Sequence, residues 1–486
     1  MNAAIAAAAN STNYQTLTVN GDYKGGGTVN MRTELNAGGA LANQFTDRLL
    51  ISGAASGQTT LSLTTSGNGA NTGTVVNGQA IPTQGISLVQ VGGASTASAF
   101  TLAGGYVVAA GSPYQYRLFA FGPGSNTPPD PTQSLLPNGQ AATWDYRLQS
   151  SDTGSSGNPQ PCSGEPTCGR PTVVPQASSY LTTPLAIQNY EATIVDSVHR
   201  RLGEFRQDTP QQDENAGDLF ARVIANRSIY HSNIDFQDYG YNFNQDIEAL
   251  QIGGNWLHRW SSTDDQRFGV VATLGHTSVA PQASSIEAST ASLDTYDLAL
   301  TGTWQNKNGW YADGVVSAGR YTGTVSTEQH GEAGRVAANG FALSVEAGRA
   351  ITLRNGIEIE PHVQALAQSL YFESRQDVDG VDVTTSDLQA LTGRLGVRFT
   401  MPMPRTVSWK PYVRLDLQQT WMNTPTVTLS GQPFMVGSPG GAVQLGVGAS
   451  GMVTDKLSLY GEVSGQQRLG HGFSSIEATL GLRYTF

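Results

Sequence analysis

The sequence predicts an all-β protein with one helix, whose C-terminal part forms an antiparallel barrel that spans a membrane. Only 13% of its 486 residues are charged and 57 are Gly, a composition typical of strands joined by many turns. From about residue 216 onward, apolar and polar residues alternate with the period of two that strands have. Only one stretch has helical spacing, and no run of about 18 apolar residues could form a transmembrane helix.

The charge balance limits the partners of the chain. The net charge is −11, which argues against nucleic acid as a partner, because that interaction needs a basic surface. The first ten residues, MNAAIAAAAN, lack the basic region and the long apolar region of a secretory signal peptide. We therefore expect either a cytosolic protein or a chain whose natural start is missing.

Residues 1–148 are predicted to form short strands between turns. Runs such as QTLTVNG, GTVNMRTEL and YQYRLFAFG alternate with Gly, Asn and Ser, which is compatible with a sandwich, a barrel or a solenoid. Residues 149–187 are rich in Pro, Gly and Ser and predict a linker. Within this linker, Cys162 and Cys168 are interpreted as a disulfide in an oxidising compartment, with two free thiols as the alternative.

The stretch NYEATIVDSVHRRLGEFRQ predicts an amphipathic helix over about residues 188–207, with its connection reaching residue 215. Its apolar side, at spacings of one, three, four and three, consists of Ile194, Val195, Val198, Leu202 and Phe205. Its polar side carries Arg200, Arg201, Glu204 and Arg206. An ordinary linker helix packed on a soluble sheet is the alternative.

Residues 216–486 are predicted to form about twelve strands, which allows the 9–11-residue spanning strands of an outer-membrane barrel. In the final stretch, IEATLGLRYTF, apolar residues occupy the even positions from Ile476 to Phe486. We expect these residues, and their counterparts in earlier hairpins, to contact hydrocarbon while their neighbours face a wet lumen. The predicted lumen-facing residues are Glu358, Glu360, Arg394, Arg398, Arg414, Asp416, Glu462, Glu477 and Arg483.

A soluble barrel would show the same alternation, so the choice of a membrane depends on further features. The polar face mixes Arg with carboxylates and has little Lys, which suits a narrow lumen where bidentate pairs form. Aromatic residues also lie near predicted strand ends, where membrane barrels have interfacial girdles. These aromatic residues are Trp256, Trp260, Trp310, Tyr311, Tyr371, Phe372, Trp409, Trp421, Tyr484 and Phe486.

The motifs of catalysis and metal binding are missing from the sequence. It contains no HExxH and no GxSxG, and its seven histidines are scattered, so we predict structural roles for them. Two cysteines without nearby His or carboxylate clusters make a zinc site improbable. The acidic segment 377–383 lacks full calcium-loop spacing and is interpreted as an external loop. We predict no catalytic residue, no metal and no cofactor.

Several stretches, in this order, resemble the monomeric autotransporters of type V secretion. GISLVQVGGASTASAFTLAGGYVVAAGSPYQYRLF is similar to the end of a pertactin-like passenger, the autochaperone region. The stretches TPLAIQNYEATIVDSVHRRLGEFR, GDLFARVIANRSIY and FQDYGYNFNQDIEALQIGGNW resemble the helix and first two strands of the translocator domain. The ending LGLRYTF, with Tyr484 and Phe486, resembles the signal that the barrel assembly machinery recognises.

The resemblance implies a 12-stranded transmembrane antiparallel β-barrel over residues 216–486, plugged by the helix and preceded by the end of a right-handed parallel β-helix. The implied pore-helix residues are Val198, His199, Arg200, Arg201, Leu202, Gly203, Glu204 and Arg206. It also implies a Gram-negative outer-membrane location with the passenger on the cell surface. The implied partners are outer-membrane lipids, the barrel assembly machinery and periplasmic chaperones.

The implied function is export and display of the chain's own passenger, without enzymatic activity. Self-cleavage, known in one subgroup, is not expected, because Asp196 and Ser197 stand where that subgroup has an Asn pair. Two alternatives stay open: a surface adhesin whose passenger binds a host ligand, and a hydrolase whose catalytic passenger lies upstream of residue 1.

Overall fold

The computed structural model describes residues 13–69, 75–76, 79–124, 127–150, 170–204, 217–259, 264–283, 285–401 and 409–486. The predicted disulfide of Cys162 and Cys168 lies outside the described residues, as do Phe205, Arg206 and Trp260. Among the helices that the structure describes, none combines the length and the apolar character that a membrane crossing requires.

The N-terminal part is a stack of parallel β-helical coils. One face pairs Thr16–Val19 with Arg48–Ile51, and Arg48–Ile51 with Ile86–Val91, all in parallel. A second face pairs Thr28–Glu34, Thr59–Ser66 and Phe100–Leu102 in parallel, and the short strands Tyr23–Lys24 and Ala55–Ser56 join the coils between them. Inward residues of successive coils form one apolar core. Of the sandwich, barrel and solenoid that residues 1–148 allow, the solenoid is therefore correct.

An ion pair fixes the first coils to each other. Asp47 accepts hydrogen bonds from the backbone nitrogens of Gln15 (2.7 Å) and Arg32 (2.8 Å), and from the Arg32 guanidinium at 2.9 Å and 3.1 Å. Burial raises the pKa of Asp47, but these hydrogen bonds outweigh burial and lower the pKa below its ordinary value.

Antiparallel strands close the lower end of the coils. Trp144–Gln149 pairs with Ile86–Val91 on one side and with Gln115–Phe121 on the other, and Gln115–Phe121 pairs with Val107–Val108. The remaining short elements of this part are the strands Val75–Val76 and Gln79–Ala80 and the 3₁₀ turns Leu41–Asn43, Pro131–Gln133 and Pro137–Gly139.

Two helices follow and run inside the barrel: α1, Ala177–Val195, and α2, Val198–Leu202. The predicted start at residue 188 is wrong, because α1 begins eleven residues earlier, inside the segment interpreted as linker. The single continuous helix to residue 207 is also wrong. The chain breaks at Asp196, whose φ is +35°, and Gly203 ends α2 with φ +69°.

In the described residues, twelve antiparallel strands form the barrel wall. They are β1 Gly217–His231, β2 Phe243–Arg259, β3 Asp264–Pro281, β4 Ser289–Asn306, β5 Trp310–Thr327, β6 Gly331–Arg349, β7 Glu358–Phe372, β8 Leu388–Thr400, β9 Trp409–Met422, β10 Gly441–Met452, β11 Leu457–Leu469 and β12 Gly472–Thr485. Each pairs with the next in sequence, and β12 pairs with β1 from Asp218↔Thr485 to His231↔Gly472. The predicted closed barrel is therefore confirmed.

The barrel is apolar outside and polar inside. On β12 the even-numbered residues from Ile476 to Tyr484 are exposed, with Ile476 69% exposed, whereas Glu477 and Arg483 point inward and are buried. The outward band ends in exposed aromatic side chains, as interfacial girdles do: Trp256, Trp310, Tyr371, Trp409, Trp421, Tyr484 and Phe486. The prediction that Tyr311 belongs to a girdle is wrong. Neighbouring residues of a strand point to opposite faces, so Tyr311 is buried inside next to the outward-facing Trp310.

Longer connections cover the end of the barrel at which α1 begins. Between β7 and β8 and between β9 and β10, the chain forms a four-stranded sheet of Arg375–Gln376, Asp382–Thr385, Thr426–Leu429 and Gln432–Met435. The 3₁₀ turns Phe236–Asp238 and Ser285–Glu287 lie at the same end, and the short strand Ile351–Thr352 lies at the other. Long loops mark the extracellular end of outer-membrane barrels, so α1 enters the pore from outside.

Candidate functional site

The pore interior is the candidate site, and its extracellular mouth is closed around residues 170–174. The Arg170 guanidinium donates to both carboxylate oxygens of Glu287, at 3.1 Å and 2.5 Å, and lies over the rings of Phe236 and Tyr239 at 4.2 Å and 4.3 Å. Burial opposes the charge of Arg170, but Glu287 outweighs this effect and raises the pKa of Arg170. Arg170 therefore stays charged at physiological pH.

Helix α1 fits the upper pore through small and neutral polar side chains. The hydroxyls of Ser178 and Ser179 both lie 2.8 Å from the hydroxyl of Ser289 at the start of β4. Gln188 donates to Gln368 at 2.8 Å. Small residues let the helix approach the wall closely, and the hydrogen bonds satisfy polar groups that water cannot reach.

The lower pore is held by charge, with Arg200 at its centre. Its guanidinium contacts Asp196 at 2.7 Å, Glu462 at 3.3 Å, and Glu477. All four side chains are buried. A guanidinium has five donors in a fixed fork, so it can bind several wall carboxylates at once, which Lys cannot do as well.

The other polar residues of α2, and Glu204 just after it, reach different strands of the wall. Arg201 donates to Asp313 at 2.7 Å. Arg398 donates to Glu204 at 3.0 Å and to His199 Nδ1 at 3.2 Å. Because Nδ1 accepts, His199 Nε2 carries the ring hydrogen and donates it to Glu360, 2.6 Å away. The short helix is thereby tied to opposite sides of the barrel.

The apolar side of α2 and the turn after it also match the wall. Val198 and Leu202 pack on a small inward cluster that contains Phe220, Val271 and Tyr311. Gly203 lies against Tyr460, and a Cβ at this position would meet the ring at 2.8 Å. A glycine is needed there for its positive φ and for this close approach.

The structure brings most of the predicted site residues together. In the pore helix, Val198, His199, Arg200, Arg201, Leu202 and Glu204 are buried against the wall. Of the predicted lumen-facing residues, Glu360, Arg398, Arg414, Asp416, Glu462, Glu477 and Arg483 are buried inside, and Arg394 donates to Asp196 at 3.2 Å. Glu358, at the start of β7, is half-buried near the periplasmic rim.

Other buried charges of the pore went unnoticed in the sequence. They include Asp196, Arg222, Asp218, Arg267, Asp313 and Glu346, as well as Glu191 on α1 and Asp297 on β4. Arg222, for example, donates to the backbone oxygen of Ile194 at the end of α1. Each wall residue among them occupies the inward position of an alternating strand, so the period that identified Glu477 could also have identified them.

The helix does not fill the upper pore evenly. It packs against β2 to β7 and leaves a polar cavity of about 40 Å³ on the side of β8 to β11. The cavity lies beside Gln188 and Asn189 and is bounded below by Arg394. Such a volume holds about three water molecules and is too small for a peptide to pass.

The predicted assembly residues lie where the barrel closes. Tyr484 and Phe486 are exposed on the outer face at the end of β12. The backbone of Phe486 exchanges hydrogen bonds with Gly217 at 3.0 Å and 3.3 Å, which joins the last strand to the first. No three His, Cys, Asp or Glu side chains in the described ranges are arranged to hold a metal ion.

A closed barrel with a lipid-facing band, whose pore holds the preceding segment of its own chain, defines an outer-membrane translocator. Residues 220–464 match the family model of the autotransporter beta-domain, and residues 2–118 match that of the autochaperone domain type 1. The chain belongs to the autotransporter family, and the predicted Gram-negative outer-membrane location is confirmed.

Relatives and a solved structure agree with this assignment. The adhesin BmaC autotransporter of Brucella suis biovar 1 is 27% identical over 479 residues, which cover 92% of this chain and 13% of the relative. The uncharacterized protein YuaQ of Escherichia coli K12 is 25% identical over 505 residues, 97% of this chain and 33% of its own length. The chain thus spans a minor part of these relatives. The transport unit of the Escherichia coli autotransporter AIDA-I shares the fold, with a TM-score of 0.52, 19% identity and coverage of 65% of this chain and 100% of that one.

Proposed function

We propose that the barrel exports its own N-terminal passenger and then holds it at the cell surface, with α1 and α2 closing the pore. The observation that carries this proposal is the path of the chain. Residues 170–204 run through the inside of the barrel from its extracellular mouth, so the β-helix that precedes them lies outside the cell. The ion pairs of Arg200 and Arg201 hold the plug in the lower pore.

The assembly of the barrel depends on the edge strands β1 and β12, which must find each other. Lipid tolerates no open sheet edge, so β12 must pair with β1 before the barrel is stable in the membrane. We propose that the barrel assembly machinery recognises Tyr484 and Phe486 on this last strand, and that periplasmic chaperones keep the chain unfolded before insertion.

The translocator assignment is tested by two measurements on the same cells. An epitope tag placed ahead of Thr16 should be reached by antibody and by protease on intact Gram-negative cells. The barrel should sediment with the outer membrane and migrate differently in SDS before and after boiling. A tag that is protected in intact cells, with the protein soluble without detergent, would refute the proposal.

We propose that the passenger acts as an adhesin rather than as an enzyme. The support is the name of the relative BmaC, an adhesin, and the β-helical end, which offers an extended surface. The longest natural form of the protein, displayed on a non-adherent host, should make cells bind to host-cell layers, whereas residues 13–486 alone should bind much less. Equal binding by both forms would place the adhesive surface within residues 13–486. Hydrolysis of a substrate panel by the long form would favour the hydrolase.

A further inference from the structure

The lower end of the β-helix contacts the extracellular loops of the barrel through a buried tyrosine. The Tyr106 phenol donates to Asp379 Oδ2 at 3.0 Å, and His330 Nε2 lies 2.8 Å from the same phenol oxygen. Since the phenol has one hydrogen and Asp379 takes it, His330 donates from Nε2 to the phenol. Burial and then the charge of Asp379 raise the pKa of Tyr106, so the phenol stays a donor at physiological pH.

A second set of contacts joins the same region to the chain that enters the pore. The Gln115 backbone nitrogen donates to Thr172 at 2.9 Å, and Val174 donates to Pro113 at 2.9 Å. The Gln115 side-chain amide donates to the backbone oxygens of Val173 at 2.6 Å and Ile286 at 2.8 Å. Residues 172–174 thus continue the sheet that ends the β-helix.

Apolar packing supports these polar contacts. Val108 and Tyr114 of the β-helical end pack on the apolar cluster at the barrel mouth, which includes Val173, Val381 and Val427. Interfaces that combine an apolar centre with satisfied hydrogen bonds are typical of stable association.

These contacts do not depend on the covalent path between the two parts. The backbone nitrogen of Thr172 donates to the backbone oxygen of Ser150 at 2.5 Å, so these two residues, which are far apart in sequence, lie side by side. Outside the β-helical end itself, the hydrogen-bond partners of Tyr106 and Gln115 belong either to residues 172–174 or to the barrel loops. A cut within 151–169 would therefore remove no member of the interface.

We propose that Tyr106, Gln115, His330 and Asp379, the passenger clasp, form an interface that keeps the β-helical end on the barrel without the covalent connection through 151–169. The inference rests on the proposed display function and adds how the passenger is retained and oriented. A passenger cut in this segment stays on the cell surface.

The test inserts a site-specific protease sequence within 151–169 of the full chain, with an epitope tag at the N-terminus. After cleavage on outer membranes, the tagged fragment should remain in the membrane pellet. Replacing Tyr106 and Gln115 by Ala should raise the released fraction about tenfold, which corresponds to about 1.4 kcal/mol of lost binding. The matched control, Phe45→Ala, removes an exposed aromatic of the β-helix that is distant in sequence from these contacts, and should leave release unchanged.

A variant on the barrel side controls for the possibility that the substitutions in the β-helix disturb its folding. His330→Ala with Asp379→Asn leaves residues 1–150 unaltered and should also raise release several-fold. Full release of the passenger without the clasp substitutions, once it is cleaved, would overturn the clasp. The translocator function would still stand if the barrels shift on heating and expose the tag before cleavage. Equal retention by all variants would overturn the assigned residues.

Discussion

Replacing Arg200 by Met should open the pore. The substitution keeps an unbranched, flexible side chain and removes the cation between Asp196, Glu462 and Glu477. Breaking a buried ion pair costs about 3–5 kcal/mol, because a charge is left without compensation in a dry site.

The partners that the three carboxylates keep determine which end of the range of about 3–5 kcal/mol applies. Asp196 keeps Arg394 at 3.2 Å and Glu462 keeps Arg414 at 2.8 Å, so two of the three carboxylates retain a guanidinium. Glu477 retains the amide of Asn226 at 2.9 Å. We therefore take about 3 kcal/mol, which raises the population of the unplugged state about 10²-fold if α2 leaves the wall as a unit.

Planar-bilayer recordings of the purified protein measure this population as the fraction of time at high conductance. Arg227→Met is the matched control, because Arg227 pairs with Asp246 on the outer face with side chains 80% and 50% exposed, and such pairs contribute about 0–1 kcal/mol. In the Arg200→Met background, Glu477→Gln should restore part of the closed state, since it removes the uncompensated charge. If Arg200→Met and Arg227→Met show the same low fraction of time at high conductance, the charges of α2 do not hold the plug. Charge reversal of Arg200 would then also fail to raise conductance.

Three further predictions concern the wall, the turn after α2 and the β-helix. Leu300→Arg on the lipid face of β4 should cost about 2–4 kcal/mol and reduce the heat-modifiable outer-membrane fraction, whereas Thr290→Arg, at the extracellular end of the same face, should not; equal effects would contradict a hydrocarbon band. Gly203→Ala should increase pore openings about tenfold over Gly331→Ala, because both have positive φ but only position 203 has an aromatic ring within reach of the new methyl; similar recordings would contradict the need for close approach. Asp47→Asn should lower the Tm of the β-helical part by about 4–8 °C at pH 7. Since folding lowers the pKa of Asp47, its contribution is complete above the unfolded value of about 3.9 and is lost as the pH falls through the folded value, so wild type and variant should converge in acid, as followed by protease resistance.

The barrel could be predicted from sequence because the alternation of apolar and polar residues within each strand shows which side chains face outward and which face inward. Glu477 and Arg483 alternate with Ile476 and Leu482, and no distant contact is needed to assign them to the inside. What the alternation cannot give is the partner of each charge. Arg200 meets a carboxylate on β11 and another on β12, and this choice depends on strand tilt and on the depth of the helix.

The start of the helix is hard to predict from sequence because the environment of the helix is not water. The stretch ASSYLTTPLAIQ contains Pro184 and small polar residues that disfavour a helix in solution. Inside the barrel, Ser178 and Ser179 find a hydroxyl partner on Ser289, and neighbouring wall residues exclude water from the helix. The stripe from Ile194 to Leu202 predicts one continuous helix, but the chain breaks at Asp196, whose φ of +35° is not helical.

The charged wall of the lower pore is best explained by the two states in which it exists, open and filled with water, or closed by α2. A passenger must cross a wet lumen, and carboxylates such as Glu462 and Glu477 are well hydrated while water fills it. Once α2 occupies the pore the water is gone, and the same carboxylates would destabilise the closed state strongly unless cations replaced it. Arg200 and Arg201 supply that charge from the helix, with Arg414 supplying it from the wall. An apolar lower pore could close more tightly, but it would not stay wet enough to conduct a polypeptide.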